Sequence, residues 1–172
     1  MKSDFRTMTG EEIAFATDVG HKRQSFSSWR PGAHGFRGDG LKINVLGAIG
    51  ELALSLHTGE SWTPFVEDFT KVKADVGEWF QVRATDHPRG NLPVHDVDPD
   101  FQIFVLVRLH SLPVAEFCGW YAGRSAKQPC FWEDGKKFAP FKRRPAYLVL
   151  VKDLNGMNTL PTQAKWAELL KL

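Results

Sequence analysis

Asp75, Gln81 and Arg83 stand in the run Lys73-Ala-Asp-Val-Gly-Glu-Trp-Phe-Gln-Val-Arg83, downstream of a helix-like segment that carries Glu51. One acid closes a short strand. An amide and a guanidinium, one position apart, share a face of the next strand, because strand side chains alternate with period two and Val82 points the other way. Hard oxygen donors in this arrangement suit Mg²⁺ or Mn²⁺, ions that polarise a phosphate and lower the pKa of an attacking water. Asp75 supplies one carboxylate, Glu51 a second, Gln81 an amide oxygen and Val82 its main-chain carbonyl. Arg83, planar and permanently charged, suits a phosphate or its charged transition state. The chemistry these residues could perform is metal-dependent phosphodiester hydrolysis. They also fit an edge hairpin in which Asp75 stabilises a turn and Arg83 pairs with a neighbouring acid, and Glu51 alone also reads as a solvated helix residue.

The elements that must position these groups follow from local pattern. Thr9-Gly-Glu-Glu12 has the form of a capping box, predicting a helix from about Gly10 to Arg23 that buries Ile13, Ala16 and Val19. The Ser/Gly/Pro-rich stretch from Ser25 to Gly40 reads as a long loop, a candidate substrate clamp through Arg30 and Arg37. Leu41 to His57 is the strongest helix, with Val45, Ile49, Leu52, Ala53 and Leu56 at spacings of three and four. Gly47 and Gly50 would each weaken that helix by about 1 kcal/mol relative to Ala, which suggests close packing on a sheet. Strands are expected at Lys71 to Val76, Glu78 to Thr85, Leu92 to His95, Phe101 to Leu109, Val114 to Tyr121 and Ala146 to Lys152. Phe101 to Leu109 is apolar enough for a central strand buried on both faces. Arg124 to Gln128 suggests a helical turn, and Thr162 to Leu172 a closing helix on Trp166, Leu169 and Leu170.

The 172 residues, 42% hydrophobic and 24% charged, fit one compact α/β (α+β) domain with a central mixed sheet flanked by helices. Cys118 and Cys130 lack metal-ligand spacing, and Met1 to Thr9 is charged without an apolar run; the expectation is a reduced, cytoplasmic chain with no structural zinc. No apolar stretch approaches the roughly 20 residues of a membrane helix. A net charge of +2 does not by itself point to nucleic acid. Distribution says more: Lys136, Lys137, Lys142, Arg143 and Arg144 cluster with Phe138 and Phe141, either a solvated basic loop or a phosphate-contacting one.

With those motifs in place, the chain resembles the PD-(D/E)XK, or restriction-endonuclease-like, nuclease superfamily. Gly47-Ala-Ile-Gly-Glu51-Leu-Ala in a helix, then Asp75, then Gln81-Val-Arg83 carry the resemblance, together with the order helix-strand-strand-strand-helix-strand. It spans residues 41–152, a nuclease-like core, with 1–40 as an N-terminal helix and loop extension and 153–172 as a C-terminal helix. The resemblance implies a Mg²⁺- or Mn²⁺-dependent nuclease acting on DNA. Glu51, Asp75 and Gln81 fall at the positions of its helix glutamate, its aspartate and its strand acid, and Arg83 falls where the family has Lys. Gln81 resembles the Mrr-like branch; an amide in place of an acid removes one negative charge from the metal site. Arg in place of Lys excludes a lysine-type base. These departures favour the alternative of an inactive nuclease-fold protein, a nucleic-acid-binding or protein-interaction module. A homodimer stays open.

Other features are weaker. Asp96, Asp98 and Asp100 imitate the start of a calcium loop, but Phe101 and Val107 stand where Gly and Glu are required. Glu78 and His87 read as exposed turn residues, and Trp62, Trp79, Trp120 and Trp132 as core or rim. No G-x-S-x-G nucleophile motif is present.

Overall fold

The computed structural model describes residues 4–28, 40–64, 73–135 and 144–169. Its main sheet has the order β1-β5-β4-β2, built from β1 (Asp4–Thr7), β2 (Phe80–Thr85), β4 (Ile103–Ser111) and β5 (Val114–Ala122). β2 runs parallel to β4 and the remaining pairs are antiparallel, so the sheet is mixed. A second, three-stranded sheet, β3-β7-β6, contains β3 (Leu92–Val94), β6 (Trp132–Glu133) and β7 (Ala146–Val149). The helices are α1 (Gly10–Ser28), α2 (Gly40–Thr58), the single turn α3 (Gly123–Ala126) and α4 (Gln163–Leu169).

β4 explains the layering. Ile103, Val105, Val107 and Leu109 alternate with Phe104 and Leu106, and all are buried. The first set joins Ala16, Val19, Ala48, Ile49, Leu52 and Ala53 in a core beneath α1 and α2. The second joins Leu92, Val94 and Val149 between the two sheets. The α/β class with a mixed sheet is therefore as expected, and β4 is the doubly buried strand; one face is covered by helices and the other by a small sheet.

The capping box forms as its residues require: Glu12 N–H donates to Thr9 Oγ1 at 3.1 Å and Thr9 N–H to Glu12 Oε2 at 2.8 Å. α1 continues past Arg23 into the stretch expected to be loop, and Ser25 within it donates its Oγ back to the His21 carbonyl at 3.1 Å. Gly50 accounts for the seating of α2. A Cβ there would lie 2.8 Å from Ala84 Cβ and 3.2 Å from Val82 Cγ1, so only hydrogen lets the helix approach β2 this closely.

Several boundaries differ from expectation. Of the strand expected at Lys71 to Val76, only Val76 pairs, in isolated bridges to Trp62 and Phe80, while Lys71 and Val72 lie outside the described residues. Glu78 and Trp79 belong to a turn opened by Gly77 at φ +58°, and the strand starts at Phe80. The strand expected from Phe101 starts at Ile103. Phe101 instead sits half-exposed, edge-on to Trp79. β1, four residues with no legible periodicity, is part of the main sheet because β5 offers it a free edge. The supposed N-terminal extension thus contributes a sheet strand. No helix among the described residues is long and apolar enough to cross a membrane.

Candidate functional site

β2 is the outer strand of its sheet, and Val82 presents its N–H to that free edge. Asp75 accepts the Val82 N–H at 2.8 Å through Oδ2, while Asp75 N–H donates to the Phe80 carbonyl at 2.9 Å. The main-chain groups of one strand residue point the same way, so the Val82 carbonyl also faces the edge, where Arg83 Nη1 reaches it at 3.3 Å. Gln81 and Arg83 share a face, as period two requires, with Arg83 Nη1 donating to Gln81 Oε1 at 3.5 Å. Gln81 Nε2 donates to the Lys73 carbonyl at 2.7 Å. That leaves the Gln81 oxygen, among the described residues, with only a long contact.

Glu51 approaches from the other side. Val82 and Ala84 turn toward α2, which carries Glu51, whereas Arg83 lies over the Phe104 ring, 5.0 Å from its centroid, on the side of the second sheet. The four residues therefore surround the edge of β2 from both faces. Gln81 and Arg83 share one face as expected, and Glu51 stands at the opposite one, because Gly50 lets α2 pack on the Val82 face.

Each group already has partners. Glu51 is buried in a bidentate ion pair, Arg23 Nη1 to Oε1 and Nη2 to Oε2, both at 2.7 Å, and Trp62 Nε1 donates to Oε2 at 2.9 Å. It is not the solvated helix residue its sequence position also allowed. Arg83 Nη2 donates to Asp98 Oδ2 at 2.7 Å and its Nε to the Pro93 carbonyl at 3.3 Å. Both contacts of a plain edge hairpin are thus present: Asp75 steadies the turn and Arg83 pairs with an acid.

What a plain hairpin does not require is the electrostatics at Asp75. Burial pushes its carboxyl up to about 7, and the negative charge of Glu51 adds to the rise, against the lowering influence of the Val82 N–H, Arg83 and Arg23. A turn-stabilising aspartate in solvent would ionise freely. Here a cleft of about 240 Å³, lined by Ser61, Thr63, Lys73, Ala74, Asp75, Gly77 and Glu78, opens beside it.

The donor set fits a hard divalent cation: two carboxylates, an amide oxygen and a main-chain carbonyl. Asp75 Oδ1 carries no hydrogen bond among the described residues. Glu51 fits only if the Arg23 fork opens. Among the described residues no group of three or more His, Cys, Asp or Glu could hold a metal, so the amide and carbonyl oxygens would have to complete the set.

Arg23 is the member of the cluster that sequence reading missed. It lay in a predicted helix, twenty-eight residues before its partner, and helical pattern carries no signal about a partner on another helix. The acidic turn is resolved differently from a calcium loop: Lys127 Nζ donates to the carbonyls of Asp96 and Asp98 and to Asp100 Oδ1, at 2.9, 2.6 and 2.6 Å. Glu78 and His87 are exposed, as expected. Arg30, Arg37, Lys142 and Arg143, the expected backbone contacts, lie outside the described residues, and Arg144 is exposed. No family model matches the chain, and no significant match is found among curated proteins or solved structures.

Proposed function

We propose that this protein is a divalent-metal-dependent phosphodiesterase that hydrolyses DNA, with its centre at the edge of β2. The reading is carried by two carboxylates close enough that the charge of Glu51, buried on α2, raises the Asp75 carboxyl, which itself accepts the Val82 N–H at the edge of β2. Two carboxylates brought together out of water repel each other, and a cation relieves that cost. Asp75, Glu51, the Gln81 amide oxygen and the Val82 carbonyl would hold Mg²⁺ or Mn²⁺. When bound, such an ion polarises the phosphate and lowers the pKa of a water.

The chain's own groups do the rest. Asp75 fixes the edge geometry through the Val82 N–H. The cleft beside it has room for the backbone flanking the cut, with Ser61 and Thr63 on its wall. Arg83 holds a permanent positive charge one residue from the Val82 carbonyl, and its tie to Asp98 keeps that charge in place.

A second reading has its own support. The Arg23–Glu51 fork and the Arg83–Asp98 pair together occupy the two groups that catalysis would need, which favours a nuclease-derived module that binds nucleic acid or a protein without cutting. Plasmid cleavage in Mg²⁺ or Mn²⁺ separates the two. We expect cleavage by the wild-type chain and its loss in Asp75→Asn, with circular dichroism unchanged. DNA binding without any cutting would instead establish the second reading.

A further inference from the structure

α1 brings into the centre a cation that neither the strand motif nor the family resemblance calls for. The Arg23 and Glu51 side chains are only 11% and 9% exposed, and the guanidinium covers both carboxylate oxygens at 2.7 Å. This is the strongest carboxylate geometry that Arg can make. A carboxylate held in that way cannot ligate a divalent ion without giving up part of the fork. Stability alone is a weak reason for the pair, because the desolvation of two buried charges offsets most of their attraction. On the Gly47 side, a Cβ would meet nothing among the described residues nearer than Glu51 Oε1, at 3.8 Å. Trp62 Nε1 also donates to Glu51 Oε2, at 2.9 Å, so the carboxylate would keep one partner if the fork opened.

We infer that Arg23 fills the cation position of the centre in the metal-free protein and competes with the divalent ion for Glu51; once displaced, its planar charge is left near Glu51 and Asp75 for a substrate phosphate. Arg23 is then a positioning residue that sets metal affinity. This rests on the metal-centre reading above.

The test measures Mn²⁺ binding to the full chain by calorimetry, and short-duplex DNA binding in Mn²⁺ by anisotropy, for the wild type, Arg23→Met and Arg23→Lys. Met keeps the apolar stem and removes the charge, leaving Glu51 and Asp75 without their shared counter-charge. Arg23→Met should bind Mn²⁺ tighter by about tenfold or more, the worth of one charge-assisted hydrogen bond, while its DNA affinity falls. Opposite signs in the two assays are the signature, since a merely structural arginine would weaken both. Arg23→Lys keeps the charge without the fork and should tighten Mn²⁺ binding less; if the Met variant does not fold, the Lys variant alone decides by the same sign. Tighter Mn²⁺ binding in the variants, including the case where the wild type binds none, upholds the competition. Equal or weaker binding in the variants, with a wild type that binds Mn²⁺, overturns it and leaves the metal centre standing. No Mn²⁺ binding by any of the three removes the metal centre and this inference together. Unchanged DNA affinity overturns the phosphate half alone.

Discussion

Asp75 has two roles that pull against each other. Its Oδ2 closes the hairpin through the Val82 N–H, a contact that favours the charged form, yet burial and Glu51 hold the carboxyl at about 7. The consequence for stability follows from linkage. With a reference value of 3.8, the folded chain keeps a proton that the unfolded chain has already released, so the stabilisation is complete below about 4 and is lost as pH rises through about 7. The facing charges that set this are Glu51, Arg23 and Arg83. Asp75→Asn cannot ionise and escapes the loss. In EDTA, its melting temperature relative to the wild type should therefore rise between about pH 5 and 8. A difference that stays flat across that range would mean that Asp75 ionises freely, and the crowding of the two carboxylates would have to be abandoned.

At the scale of elements, α2 on β2 is what brings Glu51 to the centre, and its two central glycines do different jobs. Both looked alike in the sequence, as helix-weakening residues that hinted at close packing. The structure separates them: a Cβ on Gly50 would lie closer to Ala84 than Cβ atoms come and tight against Val82, while among the described residues Gly47 has only the end of Glu51 near it. Gly50→Ala should destabilise by about 1–3 kcal/mol through overpacking. Gly47→Ala should stabilise by up to about 1 kcal/mol through helix propensity. Urea denaturation of both variants checks the pair, and equal effects would show that α2 does not sit on β2 as described. The capping box, the amphipathic runs and β4 were legible because each depends on neighbours within a few residues. β1 and the parallel β2–β4 pairing were not, since a four-residue strand gains its pattern only from the partner it pairs with.

For the molecule as a whole, a net charge of +2 limits how much of any DNA affinity can come from the general field. Binding should depend on a few phosphate contacts near the centre, with a slope of log affinity against log salt of about −2 to −4. A slope of about −6 or steeper would place the grip on a broad basic surface instead. The chain's own order of residues determined the α/β class, the capping box, the doubly buried strand and the candidates Asp75, Gln81, Arg83 and Glu51, because side-chain period and local hydrogen bonding are properties of short segments. Only the tertiary structure decided that Glu51 and Arg83 stand on opposite faces around one sheet edge, that Arg23 holds Glu51 and that Asp98 holds Arg83. Those are contacts between segments far apart in the chain, and their geometry exists only once α1, α2 and the sheets have packed together.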